Sequence, residues 1–141
     1  MIIKIAEKKD IDNLNLIQSL CFDKAVFEDF NFLIDNKSYI VLTVNDNDTL
    51  IGYLSASVSF ESSDLLQICV LSEYRRKNYA GQLLQFYFDY AKNLGAKEIL
   101  LEVNENNIPA IKLYEKNGFQ TISVRKNYYG KDSAIIMKKD L

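Results

Sequence analysis

One short run, Ile99-Leu100-Leu101-Glu102-Val103, constrains the fold more than any other part of the chain. It is apolar on both faces until Glu102, and strands of this kind occur in sheets that are covered on both sides. Helices normally provide that cover, because a domain buries its apolar faces between packed layers of secondary structure. The run therefore predicts an α/β fold in which helices flank a central mixed sheet.

The rest of the chain supplies the other elements in the order β-α-α-β-β-β-α-β-α-β-β. Apolar residues at helical spacing predict a helix that begins after Asp10 and buries Leu20 and Cys21, then a second that contains Phe27 and ends near residue 35. Phe22 and Phe27 are expected in the core. Later helices are predicted at residues 80–94 and 109–116. Strands are predicted at residues 2–5, 39–44, 49–60, 65–71, 99–103, 119–125 and 133–137. At this length we expect one domain, residues 1–141.

Composition excludes several classes of site. The chain has no His, which excludes His general bases and the common His metal sites, so we expect no metal. Seventeen basic and nineteen acidic residues give a formal net charge of −2, which argues against broad binding to nucleic acid. No apolar run approaches the ~18 residues that a membrane span needs, and no targeting segment is visible. We therefore expect a cytoplasmic protein with no membrane partner.

The chain has only two cysteines, Cys21 and Cys69, which lie far apart in the sequence. They form no CxxC motif and no four-cysteine zinc site. Two cysteines in a chain of this size do not suggest a disulfide framework, so a reducing compartment is the expectation.

A basic turn followed by a helix start is the first stretch that suggests chemistry. A strand ends near Leu71, the turn carries Arg75-Arg76-Lys77, and the helix opens with the small residues Ala80 and Gly81. A helix start offers free N–H groups and a positive dipole end, which suit a phosphate. Asn78 is one of the few residues other than Gly that tolerate a left-handed turn. The alternative is a solvated basic turn before an ordinary helix.

The second stretch joins the buried strand at residues 99–103 to the following helix. Glu102 stands at the strand end, and Tyr114 lies near the end of the helix. Ligands in open α/β sheets collect outside the carboxyl ends of strands, and a carboxylate partly withdrawn from water there is suited to accept a proton. The alternatives are a Glu that faces water and a Tyr that packs its ring in the core.

Together these stretches resemble the GNAT family of acyl-CoA N-acetyltransferases. Residues 75–80 are similar to its pyrophosphate-loop pattern Gln/Arg-x-x-Gly-x-Gly/Ala, with Asn78 where Gly is usual. The tail, with Arg125, Asn127-Tyr128-Tyr129 and the run at 134–137, resembles the bacterial ribosomal-protein-alanine N-acetyltransferases. That branch acetylates the amino terminus of small-subunit protein S18. Where the branch commonly has a Pro-Trp pair, this chain has Phe22-Asp23-Lys24.

The resemblance implies the GNAT fold, a mostly antiparallel mixed sheet whose middle strands splay apart, and acetyl-CoA as cosubstrate. A backbone N–H within the splayed strand would stabilise the tetrahedral oxygen. Asn107 would contact the cofactor arm, and Tyr128 and Tyr129 would lie near the acceptor. The residues placed against the cofactor are Ile68, Cys69, Val70, Arg76, Lys77, Asn78, Tyr79, Ala80, Gly81, Gln82 and Asn107.

The resemblance also assigns Glu102 as the base and Tyr114 as the acid. This agrees with the chemistry, because the attacking amine must be neutral and an α-amine has a pKa near ~8. With no His in the chain, a carboxylate or an ordered water relay must take the proton.

Several alternatives stay open. The acceptor is expected to be a protein α-amine, S18 first, and the second reading is a small-molecule amine or a lysine side chain, which the missing Pro-Trp pair favours. A non-catalytic acyl-CoA-binding module is a third reading, which the presence of Glu102 and Tyr114 opposes. A covalent acetyl group on Cys69 would need a base partner, and none is visible in the sequence.

Overall fold

The computed structural model describes residues 1–141 and follows the predicted order of elements. The four α-helices are α1 (Ile11–Cys21), α2 (Phe30–Asp35), α3 (Tyr79–Asn93) and α4 (Ile108–Lys116). The seven strands are β1 (Ile2–Ile5), β2 (Tyr39–Asp46), β3 (Thr49–Ser59), β4 (Ser62–Val70), β5 (Glu98–Asn104), β6 (Gln120–Tyr129) and β7 (Asp132–Asp140). None of the helices combines the length and the apolar character that a membrane crossing needs.

All seven strands form one sheet in the order β1-β2-β3-β4-β5-β7-β6. Every neighbouring pair is antiparallel except β4 and β5, which are parallel. These two strands pair only where Ser62–Asp64 meets Glu98–Leu100. Beyond that point they part, and the edge of β4 that faces β5 has no strand partner. The mixed, mostly antiparallel sheet with splayed middle strands is confirmed.

Helices cover the two faces of the sheet unequally. One face packs against α3 and α4 and includes Ile99, Leu101 and Val103 of β5. The other face packs against α1 and α2, which cover β2, β3 and the end of β4. On that second face Leu100 is half-buried and Glu102 is exposed. The prediction of cover on both sides therefore holds for the sheet but not for this end of β5, which is left open.

Some apolar residues expected in the core lie at the surface. Leu20 is 68% exposed and Phe27 is 40% exposed. Phe27 lies in extended backbone, because α2 begins only at Phe30, where the side chain of Asp29 accepts a hydrogen bond from the Phe32 N–H at 3.3 Å. The Asx cap, rather than the apolar spacing, sets the helix start.

The two cysteines are paired. Cys21 ends α1, Cys69 lies near the end of β4, and the structure joins them in a disulfide with a Cα–Cα distance of 6.4 Å. The expectation of unpaired cysteines is therefore wrong, and the argument for a reducing compartment loses its premise. A sequence separation of 48 hid the pairing, which arises because α1 packs across β4.

Buried amides hold the loop between α1 and α2, residues 22–29. The Glu28 N–H donates to Oε1 of Gln18 at 2.7 Å, and Nε2 of Gln18 donates to the Glu28 carbonyl at 3.2 Å. Nε2 of Gln67 donates to the Val26 carbonyl at 2.9 Å, and the Tyr53 hydroxyl donates to Oε1 of Gln67 at 2.7 Å. Side chains of α1 and β4 thus anchor this loop, whose only regular element is a 3₁₀ turn at Lys24–Val26.

We expect Gln18→Ala to lower the free energy of unfolding by about 1–3 kcal/mol, because it leaves an N–H and a carbonyl of Glu28 without partners. The matched control is Ser19→Ala in the same helix turn, where the exposed hydroxyl bonds only locally to the Leu16 carbonyl and the change should stay within about 0.5 kcal/mol. Urea unfolding followed by circular dichroism measures both. Equal stability of the two variants would contradict this role of Gln18.

Candidate active site

The start of α3 carries the first half of the site. Asn78 precedes the helix with φ +61°, in the left-handed region, as predicted for this residue type. Its side chain makes no capping hydrogen bond to α3. The first-turn N–H groups have no partner within the helix, so those of Tyr79, Ala80 and Gly81 can bind an anion.

A cavity of about 410 Å³, the α3 cavity, opens in front of this helix start. Three cationic side chains line it, Arg75 and Arg76 from the turn and Lys116 from the end of α4. Its other lining residues are Val70, Tyr74, Asn78, Tyr79, Ala80, Gly81, Pro109 and Leu113. Cationic side chains and free backbone N–H groups together make this a site for phosphate groups.

A second cavity of about 400 Å³, the cysteine cavity, continues from the first along β4. The two share Val70, Arg75, Ala80, Pro109 and Leu113, so they form one groove. Beyond the shared residues the lining becomes mostly apolar and consists of Cys21, Phe22, Ile68, Cys69, Asn107 and Ala110. The groove therefore runs from a cationic end to an apolar end.

Glu102 lies in a separate cavity of about 520 Å³, the Glu102 cavity. Its Oε1 is 3.0 Å from Nη1 of Arg125, and the Arg125 guanidinium lies 5.4 Å from the centre of the Tyr128 ring. Tyr129 also lines this cavity, and burial together with the Glu102 charge raises the pKa of its phenol. The carboxylate is thus held by an ion pair and bordered by the predicted tyrosines.

Tyr114 is buried among aromatic side chains, with its ring centre 5.7 Å from that of Phe119. Burial raises the pKa of its phenol to about 12, so the hydroxyl keeps its proton at neutral pH. No side chain or carbonyl of the protein bonds this hydroxyl. The hydroxyl is nevertheless not fully enclosed, because the one fully enclosed side-chain polar atom without a partner is Oγ of Ser55. The Tyr114 hydroxyl therefore reaches accessible space and is free to donate.

Glu102 and Tyr114 do not line a common cavity. Tyr114 belongs to the core on the α3 and α4 face, whereas Glu102 points to the opposite face from its neighbours Leu101 and Val103. The backbone of the sheet is open between these faces where β4 and β5 part. Glu102 and Tyr114 share no surface, so they can reach a common ligand only through that opening.

Most of the predicted cofactor residues line the groove. Ile68, Cys69, Val70 and Asn107 line the cysteine cavity, and Arg76, Asn78, Tyr79, Ala80 and Gly81 line the α3 cavity. Gln82 lines an adjoining surface cavity with Asn78 and Lys116.

Two of the predicted residues have structural partners. Lys77 lines none of these cavities, and its ammonium lies 5.9 Å from the centre of the Tyr74 ring. The Asn107 side chain caps α4 by accepting a hydrogen bond from the Ala110 N–H at 3.3 Å. The amide nitrogen of Asn107 and the second lone pair of its oxygen are left for a ligand.

Sequence reasoning missed Lys116, Cys21 and the pairing of Arg125 with Glu102. Lys116 and Cys21 each end a helix, and their place in the groove depends on how α4 packs beside α3 and α1 beside β4. Local sequence carries no signal for such packing. Arg125 did stand in the tail that resembles the alanine acetyltransferases, but its partner lies on another strand.

The profile of the Acetyltransferase (GNAT) family matches residues 9–119. The chain belongs to the GNAT family. An N-alpha-acetyltransferase of Saccharolobus solfataricus is 32% identical over 94% of this chain and 89% of its own length. A [ribosomal protein bS18]-alanine N-acetyltransferase of Escherichia coli K12 is 31% identical over 70% of each chain. The crystal structure of an aminoglycoside 6'-N-acetyltransferase complexed with coenzyme A is 19% identical, covers 99% of this chain and 97% of its own, and has a TM-score of 0.87.

These comparisons confirm the predicted family, the GNAT fold and the enzyme class. The protein is an acetyl-CoA-dependent N-acetyltransferase. The roles of individual residues remain predictions, and their positions in and around the groove allow each role to be tested by mutation.

We expect Ala80→Leu to weaken acetyl-CoA binding about ten-fold or more, because a larger side chain obstructs the approach of a phosphate to the backbone. Lys77→Gln should weaken binding less than about three-fold, since Lys77 lies outside the groove and the backbone supplies most of the contacts. Lys92→Gln, an exposed lysine in the last turn of α3, is the matched control. Isothermal titration calorimetry measures the three affinities, and normal binding by Ala80→Leu would place the phosphates elsewhere.

Proposed function

We propose that this enzyme acetylates the α-amine of a protein that begins with alanine, with ribosomal protein S18 as the first candidate. The E. coli relative carries that activity in its name. Two residues of the tail that resembles the same branch, Arg125 and Tyr129, line the cavity of Glu102, and Tyr128 lies against the Arg125 guanidinium. An acceptor amine would meet its base in this cavity.

The observation that supports the proposal is that the Glu102 cavity and the cysteine cavity adjoin along β4. The Glu102 cavity is lined by β4 as far as Leu66, and the cysteine cavity begins at Ile68. Two residues of strand span about 7 Å. An acetyl group at the apolar end of the groove and an amine beside Glu102 would therefore be close enough to react.

In this arrangement the amine attacks the thioester carbonyl and passes its proton to Glu102. The oxygen that gains charge would lie against the unpaired edge of β4, where a backbone N–H within Ile68–Val70 can donate to it. The C–S bond then breaks and leaves the CoA thiolate. Before this, the amine must compete with Arg125 for the Glu102 carboxylate.

Tyr114 would donate a hydrogen bond to the departing sulfur. A thiol has a pKa near ~8.5, well below the value of about 12 that burial gives Tyr114, so complete proton transfer from phenol to thiolate is unfavourable. Tyr114 therefore stabilises the thiolate as a donor, and the sulfur takes its proton later from solvent.

A small-molecule amine is the second candidate acceptor. The Glu102 cavity holds a further carboxylate, Asp64, and burial raises the pKa of that group. Two carboxylates in one cavity also suit a compound with several amines. The difference from the first candidate is measurable in one assay.

We expect a peptide with the amino-terminal sequence of S18 to be turned over faster than a lysine peptide or a polyamine. The matched control is the same peptide with its α-amine already acetylated and one lysine retained. Release of free CoA thiol from acetyl-CoA measures all four rates. Faster turnover of a polyamine would favour the second candidate, and turnover of the blocked peptide would indicate a lysine acetyltransferase.

We expect Glu102→Gln to lower kcat by ~10²–10⁴-fold or somewhat less at neutral pH, because the variant keeps the shape and loses the proton acceptor. The loss should shrink as pH rises through the amine pKa near ~8, since solvent then supplies the neutral amine.

Tyr114→Phe should lower kcat about 10²-fold at every pH below the phenol pKa, because raising the pH supplies no hydrogen-bond donor to the departing sulfur.

Stopped assays from pH 6 to 9.5 give the pH profile of kcat for Glu102→Gln and for Tyr114→Phe. The affinity for acetyl-CoA should change little in either variant. Wild-type kcat for Glu102→Gln at neutral pH would remove Glu102 from the mechanism. A defect of Glu102→Gln that did not depend on pH would make it a positioning residue.

A further inference from the structure

We propose that the Cys21–Cys69 pair is a thiol–disulfide exchange site for the CoA thiol. The inference rests on the proposed placement of acetyl-CoA in the groove. It concerns two side chains to which the acetyl transfer itself assigns no reaction.

The fold brings the only two cysteines of the chain to the apolar end of this groove. They come from separate elements, the end of α1 and the end of β4, and both line the cysteine cavity. Cys69 is only 6% exposed, whereas Cys21 is half-buried. A thiol that entered the cavity would therefore approach the sulfur of Cys21.

The polarity of the groove directs the CoA thiol toward this pair. CoA carries its phosphates at one end and its thiol at the other, and Arg76 and Lys116 line only the end of the groove away from the cysteines. Acetyl-CoA has no free thiol, because its sulfur is acylated. Each turnover, however, produces free CoA whose thiol lies at the cysteine end.

The exchange balances without any further reagent. The CoA thiolate attacks Sγ of Cys21, a CoA–Cys21 disulfide forms, the Cys21–Cys69 bond breaks, and Cys69 leaves as a thiolate that takes up a proton. In the reduced protein the Cys21 thiolate attacks CoA disulfide and expels one CoA. Cys69 then attacks the mixed disulfide and expels the second CoA, so two protein thiols are oxidised and one small disulfide is reduced.

The consequence is control of the enzyme by its own product. While the mixed disulfide lasts, the CoA held on Cys21 occupies the groove in which acetyl-CoA must bind, and turnover resumes when Cys69 expels it. The enzyme would then respond to the ratio of CoA to CoA disulfide.

Cys69→Ser is the trapping variant, because it removes the thiol that resolves the mixed disulfide. Treated with CoA disulfide after reduction, it should gain the mass of one CoA moiety on Cys21, and acetyl-CoA should suppress the gain. Oxidised glutathione should label it about ten-fold more slowly, since it lacks the nucleotide that the groove binds. Cys21→Ser is the matched control and should gain little, because Cys69 is buried. The wild-type protein should end two hydrogens lighter, with no adduct.

Intact-mass spectrometry measures the change in mass of each protein after each treatment. A thermal-shift titration with acetyl-CoA checks that each variant folds and binds acetyl-CoA. Equal labelling by CoA disulfide and oxidised glutathione, without protection by acetyl-CoA, overturns the inference. If acetyl-CoA still stabilises the protein in that case, the placement of acetyl-CoA in the groove is kept and only the exchange at Cys21–Cys69 is rejected. If acetyl-CoA neither stabilises nor protects, the placement of the cofactor fails as well.

Discussion

The early end of the pairing between β4 and β5 is the constraint on which the rest of this structure depends. Three residues of each strand pair, and then the strands part. Backbone N–H and carbonyl groups that lose a strand partner bind water, or an added strand or a ligand of similar chemistry that displaces the water. The pantetheine arm of CoA carries two amides and has this character. The opening therefore supplies the free backbone groups and the space for such a ligand.

The same opening would let the two groups proposed to act in the reaction, which lie on opposite faces of the sheet, serve one substrate. Glu102 stands on the exposed face, held at 3.0 Å by Arg125, and Tyr114 is buried on the other face beside Phe119. A continuous sheet would separate them. Their environments differ accordingly: the charged group sits where water and a second substrate can reach it, and the phenol keeps its proton because it is buried.

Sequence patterns predicted the order of elements and a left-handed turn at Asn78, because each depends on neighbours within a few residues. The same patterns failed where the outcome depends on contacts between distant segments. Phe27 has helical spacing but lies outside α2, since Asp29 caps the helix after it. Cys21 and Cys69 gave no signal of pairing across 48 residues, and Lys116 gave none of its place in the groove. The place of Glu102 near the end of β5 followed from the sequence, but its ion pair with Arg125 did not.

The departure at Asn78 shows how local and distant constraints combine at the phosphate end. A left-handed residue is required there, and Asn can adopt that conformation with a smaller penalty than most residues other than Gly. Its side chain then needs room, and it occupies the space in which a Cβ on Gly81 would stand. Gly81 is thus the residue that makes Asn78 possible, and the two positions must be considered as a pair. Because the Asn78 side chain turns toward Gly81 and caps no N–H group, the start of α3 remains open to an anion. The site keeps its free backbone donors even though the usual glycine is absent.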